Sequence, residues 1–114
     1  MTEPGSQAGS SWPPVPTGGR LVALVPDLMD RSRISAGLAT VEFLAGPAAL
    51  ADLGPLDVVL VDLGRPGVLP AVAGCAAQVV GFVSHVDEDL AQQARSAGVA
   101  EVLARSVFFR RLGR

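Results

Sequence analysis

The sequence predicts an α/β protein in which helices cover both faces of a five-stranded parallel sheet. From residue 20 to residue 112, strand-like apolar runs alternate with helix-like segments, an order typical of parallel strands joined by helical crossovers. The unbroken apolar run Val58–Val61 precedes the turn-forming stretch Gly64–Gly67, as expected for a strand buried on both faces. Hydrophobic residues make up 49% of the chain but aromatic residues only 4%, which favours helices layered on a sheet.

Five segments have the pattern of strands. The third is predicted to lie at the centre of the sheet, because its apolar run needs cover from both sides. The second alternates apolar with polar residues, which favours a position nearer the sheet edge. The five predicted ranges are 20–25, 40–44, 57–62, 79–83 and 99–103.

Helices are predicted between and after these strands, at 28–38, 48–53, 68–77, 87–97 and 106–112. The second and third are short, because glycine and proline residues interrupt or end them. In the first helix, Asp27 or Asp30 can provide the N-cap, and Leu28, Ile34 and Leu38 are expected to face the core. Together these elements predict a three-layer α/β/α arrangement.

Residues 1–19 are rich in glycine, proline and serine, and Trp12 and Val15 are their only large apolar side chains. Such a segment buries too little surface to offset the entropy lost on ordering. We therefore predict a disordered tail at 1–19 and one domain at 20–114. The Trp12–Pro16 stretch can alternatively act as a polyproline-type docking motif.

Composition narrows the classes of partner. The formal net charge is −2 and the pI is about 5.2, which argues against a general nucleic-acid partner. No apolar run approaches the roughly 18 residues that a membrane span needs, and no signal-peptide pattern is present, so we expect a cytoplasmic protein without membrane contact. All nine basic residues are arginine, so no lysine can serve as a catalytic cation.

Polar residues follow four of the predicted strands. Asp27 follows the first, Asp62 ends the third, Ser84 ends the fourth and Arg105 follows the fifth. Because the carboxyl ends of parallel strands share one edge of a sheet, these side chains are expected to converge there. A pair of aspartates at such an edge can hold Mg²⁺, and a nearby hydroxyl and cation can contact a phosphoryl group on Asp62.

Four stretches, taken in order, resemble one known family. They are LVPD at 24–27, VVLVDLGRPG at 58–67, VSH at 83–85 and the segment 87–105. Over about residues 20–112 they are similar to the receiver domain of bacterial two-component response regulators. The resemblance implies a flavodoxin-like, receiver-like fold.

The resemblance also implies roles for individual residues. Asp62 would be the phospho-acceptor, Asp27 and Asp62 would be metal ligands, and Gly64 would offer its carbonyl oxygen to the metal. Ser84 and Arg105 would occupy the positions of the switch hydroxyl and the cation that meet the phosphoryl group. Mg²⁺ is implied only if this site is functional.

Each of these residues also has a purely structural interpretation. Asp62 can be a polar strand end satisfied by backbone N–H groups, and Asp27 can be a helix cap. Ser84 can be a turn hydroxyl, and Arg105 can form an ion pair with Asp62.

The departures from the family pattern favour a degenerate receiver. Pro26 stands where the family has a second acid, and it cannot ligate a metal through its side chain. Arg105 stands in place of the family's lysine, an exchange that replaces a compact ammonium with a planar fork. Ser106 replaces the following proline, and Val102 replaces a switching aromatic residue.

These departures lead to a functional hypothesis with two alternatives. We expect a non-enzymatic regulatory or protein-interaction module that is not phosphorylated and needs no cofactor. A functional stand-alone receiver, phosphorylated on Asp62 with Mg²⁺, is one alternative. A flavodoxin-like domain that binds a small ligand is the other, although neither familiar glycine-rich phosphate loop is present.

The adjacent aromatic residues Phe108 and Phe109 lie on the predicted last helix. One can pack inward while the other faces outward and provides an apolar contact point. We therefore expect a protein partner, or a second copy of the chain, to contact the face of this helix.

Overall fold

The computed structural model describes residues 11–84 and 87–114, and it confirms the predicted five-stranded parallel sheet. The strands are ordered β2-β1-β3-β4-β5, and every neighbouring pair is parallel. Their bounds are Leu21–Leu24 (β1), Glu42–Phe43 (β2), Val58–Asp62 (β3), Gln78–Val83 (β4) and Glu101–Ala104 (β5). The sheet therefore has β3 at its centre and β2 at one edge, as the hydrophobic patterns predict.

Helical segments separate the strands, and the second and third are short as predicted. The α-helices are Leu28–Gly37 (α1), Val68–Ala73 (α2), Glu88–Ser96 (α3) and Arg105–Arg111 (α4), and a 3₁₀ helix spans Pro47–Asp52 between β2 and β3. Among the described residues, no helix is long and apolar enough to cross a membrane.

The core has two parts, one on each face of the sheet, and β3 contributes to both. All five residues of β3 are buried. Val59 and Val61 pack with the side of the sheet covered by the 3₁₀ helix, α2 and α3. Val58 and Leu60 pack with the side covered by α1 and α4. Successive side chains of a strand point to opposite faces, which is why an unbroken apolar run predicts this position.

Three side-chain predictions for the helices have different outcomes. Ile34 is fully buried as predicted, whereas Leu28 is 75% exposed, so the prediction that it faces the core is wrong. Leu28 occupies the first position of α1, and the buried residues of this helix, Asp30 and Ile34, lie further along it. The last helix begins at Arg105 and has no side-chain N-cap, so the prediction that it starts with a Ser106 cap is also wrong.

The prediction of a disordered tail at 1–19 is wrong for the part of that segment around Trp12. Residues 1–10 lie outside the described residues, but at 11–19 the chain packs against the domain. Trp12 is only 8% exposed, its ring centroid lies 5.7 Å from that of Phe108, and its indole N–H donates to Glu101 at 3.3 Å. Its backbone N–H donates to the Arg114 carbonyl oxygen. One large aromatic side chain, seated on another, supplies the apolar burial that composition alone does not suggest.

A buried carboxylate, that of Asp57, ties the residue before β1 to the loop before β3. Asp57 accepts hydrogen bonds from the backbone N–H groups of Gly54 and Arg20, each at 2.8 Å. These two hydrogen bonds lower the pKa of Asp57, and the one from Gly54 has the larger effect. The nearby Arg20 guanidinium lowers the pKa further. The charged form of Asp57 therefore holds the start of β1 beside the start of β3.

Candidate functional site at the carboxyl edge of the sheet

Asp62 lies at the carboxyl end of β3. The strand order reverses beside it, because the chain passes from β1 outward to β2 and then returns to place β3 on the other side of β1. The residue is 7% exposed. One carboxylate oxygen, Oδ2, accepts a hydrogen bond from Arg65 Nε at 3.1 Å, and the other, Oδ1, accepts one from the Gly64 backbone N–H at 3.2 Å. Both oxygens of the central acid therefore have partners from the loop that follows β3.

That loop is held close to the sheet by the packing of Leu63. A Cβ at Gly81 of β4 would lie 2.5 Å from Leu63 Cδ1, a distance too short for carbon atoms in contact. Gly81 thus leaves the space into which Leu63 packs, and Leu63 is 2% exposed. This anchor fixes the chain direction directly after Asp62.

Asp27 caps α1. Its Oδ1 accepts a hydrogen bond from the Asp30 backbone N–H at 2.9 Å, which satisfies one of the free donors at the helix start. Of the two interpretations left open for Asp27, the structure shows the helix cap. Pro26 precedes it and is exposed.

Asp30 is the site residue that the sequence did not identify in this role. Its side chain is 2% exposed, and both carboxylate oxygens accept hydrogen bonds from Arg105: Nη1 donates to Oδ2 at 2.8 Å, and Nη2 donates to Oδ1. The suggestion that Arg105 pairs with Asp62 is therefore wrong. The sequence offers one local signal. Asp27 and Asp30 are both candidate N-caps of α1, and because a helix has one N-cap, one of the two acids must have another role.

The electrostatics of this edge centre on Arg105. Hydrogen bonding to the Asp30 carboxylate is the main effect that raises the pKa of Arg105, and the negative charges of Asp30, Asp62 and Asp27 raise it further against an opposing effect of burial. The guanidinium also lies over the rings of Phe82 and Phe109, at 5.7 Å and 5.0 Å from their centroids. Arg105 is thus bound by Asp30 and lies beside two aromatic rings, and the charges of Asp62 and Asp27 favour its position without contacting it.

The structure does not gather the predicted residues around one cavity. Ser84 is exposed and lines an open groove of about 570 Å³ together with Arg105, Arg33 and Phe109. Gly64 lines a second open groove of about 570 Å³, on the far side of the loop after β3. His85, which follows Ser84, lies outside the described residues.

The comparison with solved structures agrees with the fold described above. The crystal structure of a phosphorylated cyanobacterial phytochrome response regulator, RcpA, superposes with a TM-score of 0.68 and 17% sequence identity, covering 82% of this chain and 88% of that chain. The chain has the fold of a response-regulator receiver. No protein-family model matches the sequence, and no curated protein does either.

Within this receiver fold, the residues present do not fit the Mg²⁺ site that the sequence resemblance implies. Pro26 offers no ligand from its side chain, and Asp27 uses a carboxylate oxygen to cap α1. Arg65 places a cation on Asp62, where a metal ion would have to bind. Over residues 11–84 and 87–114, no group of three or more potential metal-ligating side chains comes together.

The last helix of the receiver fold presents its aromatic residues differently from each other, as predicted. Phe108 is fully buried, with its ring centroid 4.6 Å from that of Phe82. Phe109 is half-buried, and the guanidinium of Arg33 lies 4.0 Å from its ring centroid. Arg105 covers the same ring, so cations rather than open apolar surface surround Phe109.

Proposed function

We propose that this chain is a non-enzymatic, cytoplasmic regulatory module that acts through protein contacts and is not phosphorylated on Asp62. The pairing of Arg105 with Asp30 carries this proposal. By the sequence resemblance, Arg105 stands where receivers have the cation that meets a phosphoryl group. Here both of its terminal nitrogens donate to a buried carboxylate, so they are already committed within the fold.

The two arginine–aspartate pairs at this edge differ in the free energy needed to separate them. The Arg65–Asp62 pair involves an arginine whose side chain is 45% exposed, and such pairs stabilise a protein by less than about 1 kcal/mol. A phosphoryl donor could displace Arg65 at little cost. Separating Arg105 from Asp30 is more costly, because it would leave a carboxylate with a side chain only 2% exposed without its counter-charge.

The metal requirement supports the same proposal. Phosphoryl transfer to a carboxylate needs positive charge beside the transferred group. Pro26 and the capping role of Asp27 reduce the ligands available for Mg²⁺, and the proposed module therefore works without a cofactor.

One observation favours a second candidate, a receiver that is phosphorylated on Asp62 with Mg²⁺. Asp62 lies at the carboxyl end of the central strand, the usual place for a functional site in an open parallel sheet. The two candidates differ in a single measurable property, the formation of a phosphoryl adduct.

Incubation of the protein with acetyl phosphate and Mg²⁺ is expected to give no phosphoryl adduct in the intact mass. The physical reason is that Arg105 is bound to Asp30, and that Pro26 and the capping role of Asp27 reduce the ligands available for Mg²⁺. An established receiver, treated in the same tube, shows that the donor is active.

The decisive control is Asp62→Asn, which keeps the shape of the side chain but removes the acceptor oxygen. A mass adduct in the native chain that disappears in Asp62→Asn would establish the second candidate and contradict the first. An adduct present in both proteins would mark a reaction elsewhere on the chain.

The partner surface of this module is proposed on the charges around the last helix. Five of the nine arginines cluster there, in an arginine face formed by Arg33, Arg105, Arg110, Arg111 and Arg114. Arg105 and Arg111 pair with acids of the fold. In the described part of the chain, the other three have no carboxylate within salt-bridge distance. In a chain with a net charge of −2, this local excess of positive charge favours an acidic protein surface as the partner.

Two grooves give this face its shape, and Arg110 lines both. One contains Arg33 and Ser84, and the other, of about 500 Å³, contains Trp12 and Arg114. A partner that lies along α4 would contact both grooves at once. The expected apolar contact at Phe108 and Phe109 is replaced in this proposal by charge, because the first ring is buried and the second is covered.

A fluorescently labelled acidic peptide is expected to bind this face, and Arg110→Glu is expected to weaken its binding at least about tenfold. Reversal of the charge at the residue shared by the two grooves removes one attraction and adds a repulsion. Fluorescence anisotropy at low and moderate salt measures the change.

The matched control is Arg95→Glu, the same charge reversal at an exposed arginine of α3, away from this face. It should leave binding within about twofold. Equal weakening by both variants would show only a general charge effect, and tighter binding of a labelled DNA duplex than of the peptide would contradict the proposed class of partner.

A further inference from the structure

A separate, more enclosed cleft lies at the carboxyl edge of β1, β2 and β3. Its volume is about 240 Å³, which is room for a small organic molecule. Its apolar lining includes Leu24 at the end of β1, Leu44 and Pro47 after β2, and Val68 at the start of α2. The cleft is thus built from the loops at the point where the strand order reverses, the position at which open α/β sheets bind ligands.

Pro26 is part of the same lining. The residue that replaces an acid in the receiver pattern therefore contributes an apolar wall to this cleft. An acidic side chain at this position would add negative charge beside Asp62, whereas proline adds none.

Two arginines line the cleft, and each makes one hydrogen bond through its Nε. Arg31 Nε donates to the Val25 carbonyl oxygen at 2.6 Å, and Arg65 Nε donates to Asp62 Oδ2 at 3.1 Å. Among the described residues, the terminal nitrogens of both guanidinium groups make no hydrogen bond. They are positioned donors without acceptors, the arrangement that recognises carboxylate or phosphate oxygens in a planar, two-pronged way.

The charges at the cleft set the charge of the ligand. Arg31 and Arg65 contribute two positive charges, and Asp62 contributes one negative charge, which leaves one positive charge in excess. We propose that this cleft binds a small organic monoanion, with an apolar body against Leu24, Pro47 and Val68 and its acidic group on Arg31 and Arg65. This site is distinct from the arginine face, and it rests on the proposed function in one respect, because the unphosphorylated Asp62 carboxylate holds Arg65.

Gly46 offers a way to test the cleft without changing its charge. It lines the cleft, its φ of −172° is extended backbone open to any residue, and a Cβ built there meets no atom within 4 Å. Gly46→Leu therefore adds an apolar side chain, without a clash at its Cβ, to a residue that lines the cleft. Gly74 provides the matched control, because a Cβ there also meets no atom within 4 Å and the residue lies outside the cleft.

Titration with benzoate, followed by ¹H–¹⁵N NMR, is expected to give saturable shifts confined to the residues around the cleft, with a dissociation constant of about 1 mM or lower. Gly46→Leu should weaken this binding at least about tenfold, whereas Gly74→Leu should leave it unchanged. Circular dichroism confirms that both variants remain folded. Benzamide, the uncharged counterpart of benzoate, should bind at least about tenfold more weakly.

Four outcomes would overturn the proposal. They are an absence of saturable shifts, equal binding of benzamide and benzoate, shifts centred on Arg33 and Arg110 instead, and equal effects of Gly46→Leu and Gly74→Leu. A short peptide with a free carboxyl end is the remaining arm, and its binding in preference to benzoate would assign the cleft to the chain end of a protein partner and overturn the small-molecule assignment.

Discussion

Replacement of Arg105 by glutamine is expected to lower the free energy of unfolding by about 2–4 kcal/mol. The substitution removes the cation but leaves the Asp30 carboxylate, whose side chain is 2% exposed, inside the fold. Loss of one member of a fully buried pair costs more than this, and the lower figure reflects the 35% exposure of the Arg105 side chain. Urea denaturation followed by circular dichroism measures the change.

A double-mutant cycle separates the ion pair from the rest of the side chain. Asp30→Asn combined with Arg105→Gln should be more stable than the sum of the two single changes predicts, because the pair is then removed as a unit. Arg110→Gln, on an exposed position of the same helix, should change stability by less than about 0.5 kcal/mol. Native-like stability of Arg105→Gln would show that the pair is not structural and would remove the main argument against phosphorylation.

Truncation of Phe108 to alanine is expected to cost about 3–5 kcal/mol of unfolding free energy. The side chain is fully buried and contacts three other aromatic rings, with centroid separations of 5.7 Å to Trp12, 4.6 Å to Phe82 and 5.0 Å to Phe109. Its loss leaves a cavity beneath α4 and removes the surface on which Trp12 rests. Trp12 fluorescence should therefore shift towards that of exposed tryptophan, alongside the lower midpoint in urea.

Phe109→Ala is the matched control, one position along the same helix. This ring is half-buried and touches cations as well as aromatic carbon, so its truncation should cost only about 1–2 kcal/mol. Equal losses for the two variants would mean that the two rings share the core role, and the described difference in their burial would then have no energetic consequence.

The N-terminal segment illustrates how composition can mislead. Residues 11–19 contain mostly proline, glycine and small polar residues, a composition typical of unpacked chain. Trp12 nevertheless finds a partner in Phe108, nearly a hundred positions along the chain, and a second one in Arg111, whose guanidinium lies 4.6 Å from the ring centroid. A count of apolar residues in a window cannot detect a single long-range contact of this kind.

The sequence by itself determined which strands are buried on both faces, that the sheet is parallel, and that Asp62 lies at its carboxyl edge. These follow from local hydrophobic periodicity, which decides how many faces of each strand must be covered. The burial of Ile34 and the N-cap at Asp27 could also be predicted, because both follow from the order of residues along one helix.

Only the tertiary structure decided which charges meet. Asp30 and Arg105 are 75 positions apart, and Arg105 had Asp62, Asp27 and Asp30 as possible partners at the same edge. The choice among them depends on the position of α1 relative to the start of α4 to within a hydrogen-bond length, and no residue pattern encodes that distance. The fold could therefore be predicted from local patterns. The pairing of Arg105 with Asp30 could not, because that contact exists only once α1 and α4 have packed on the sheet.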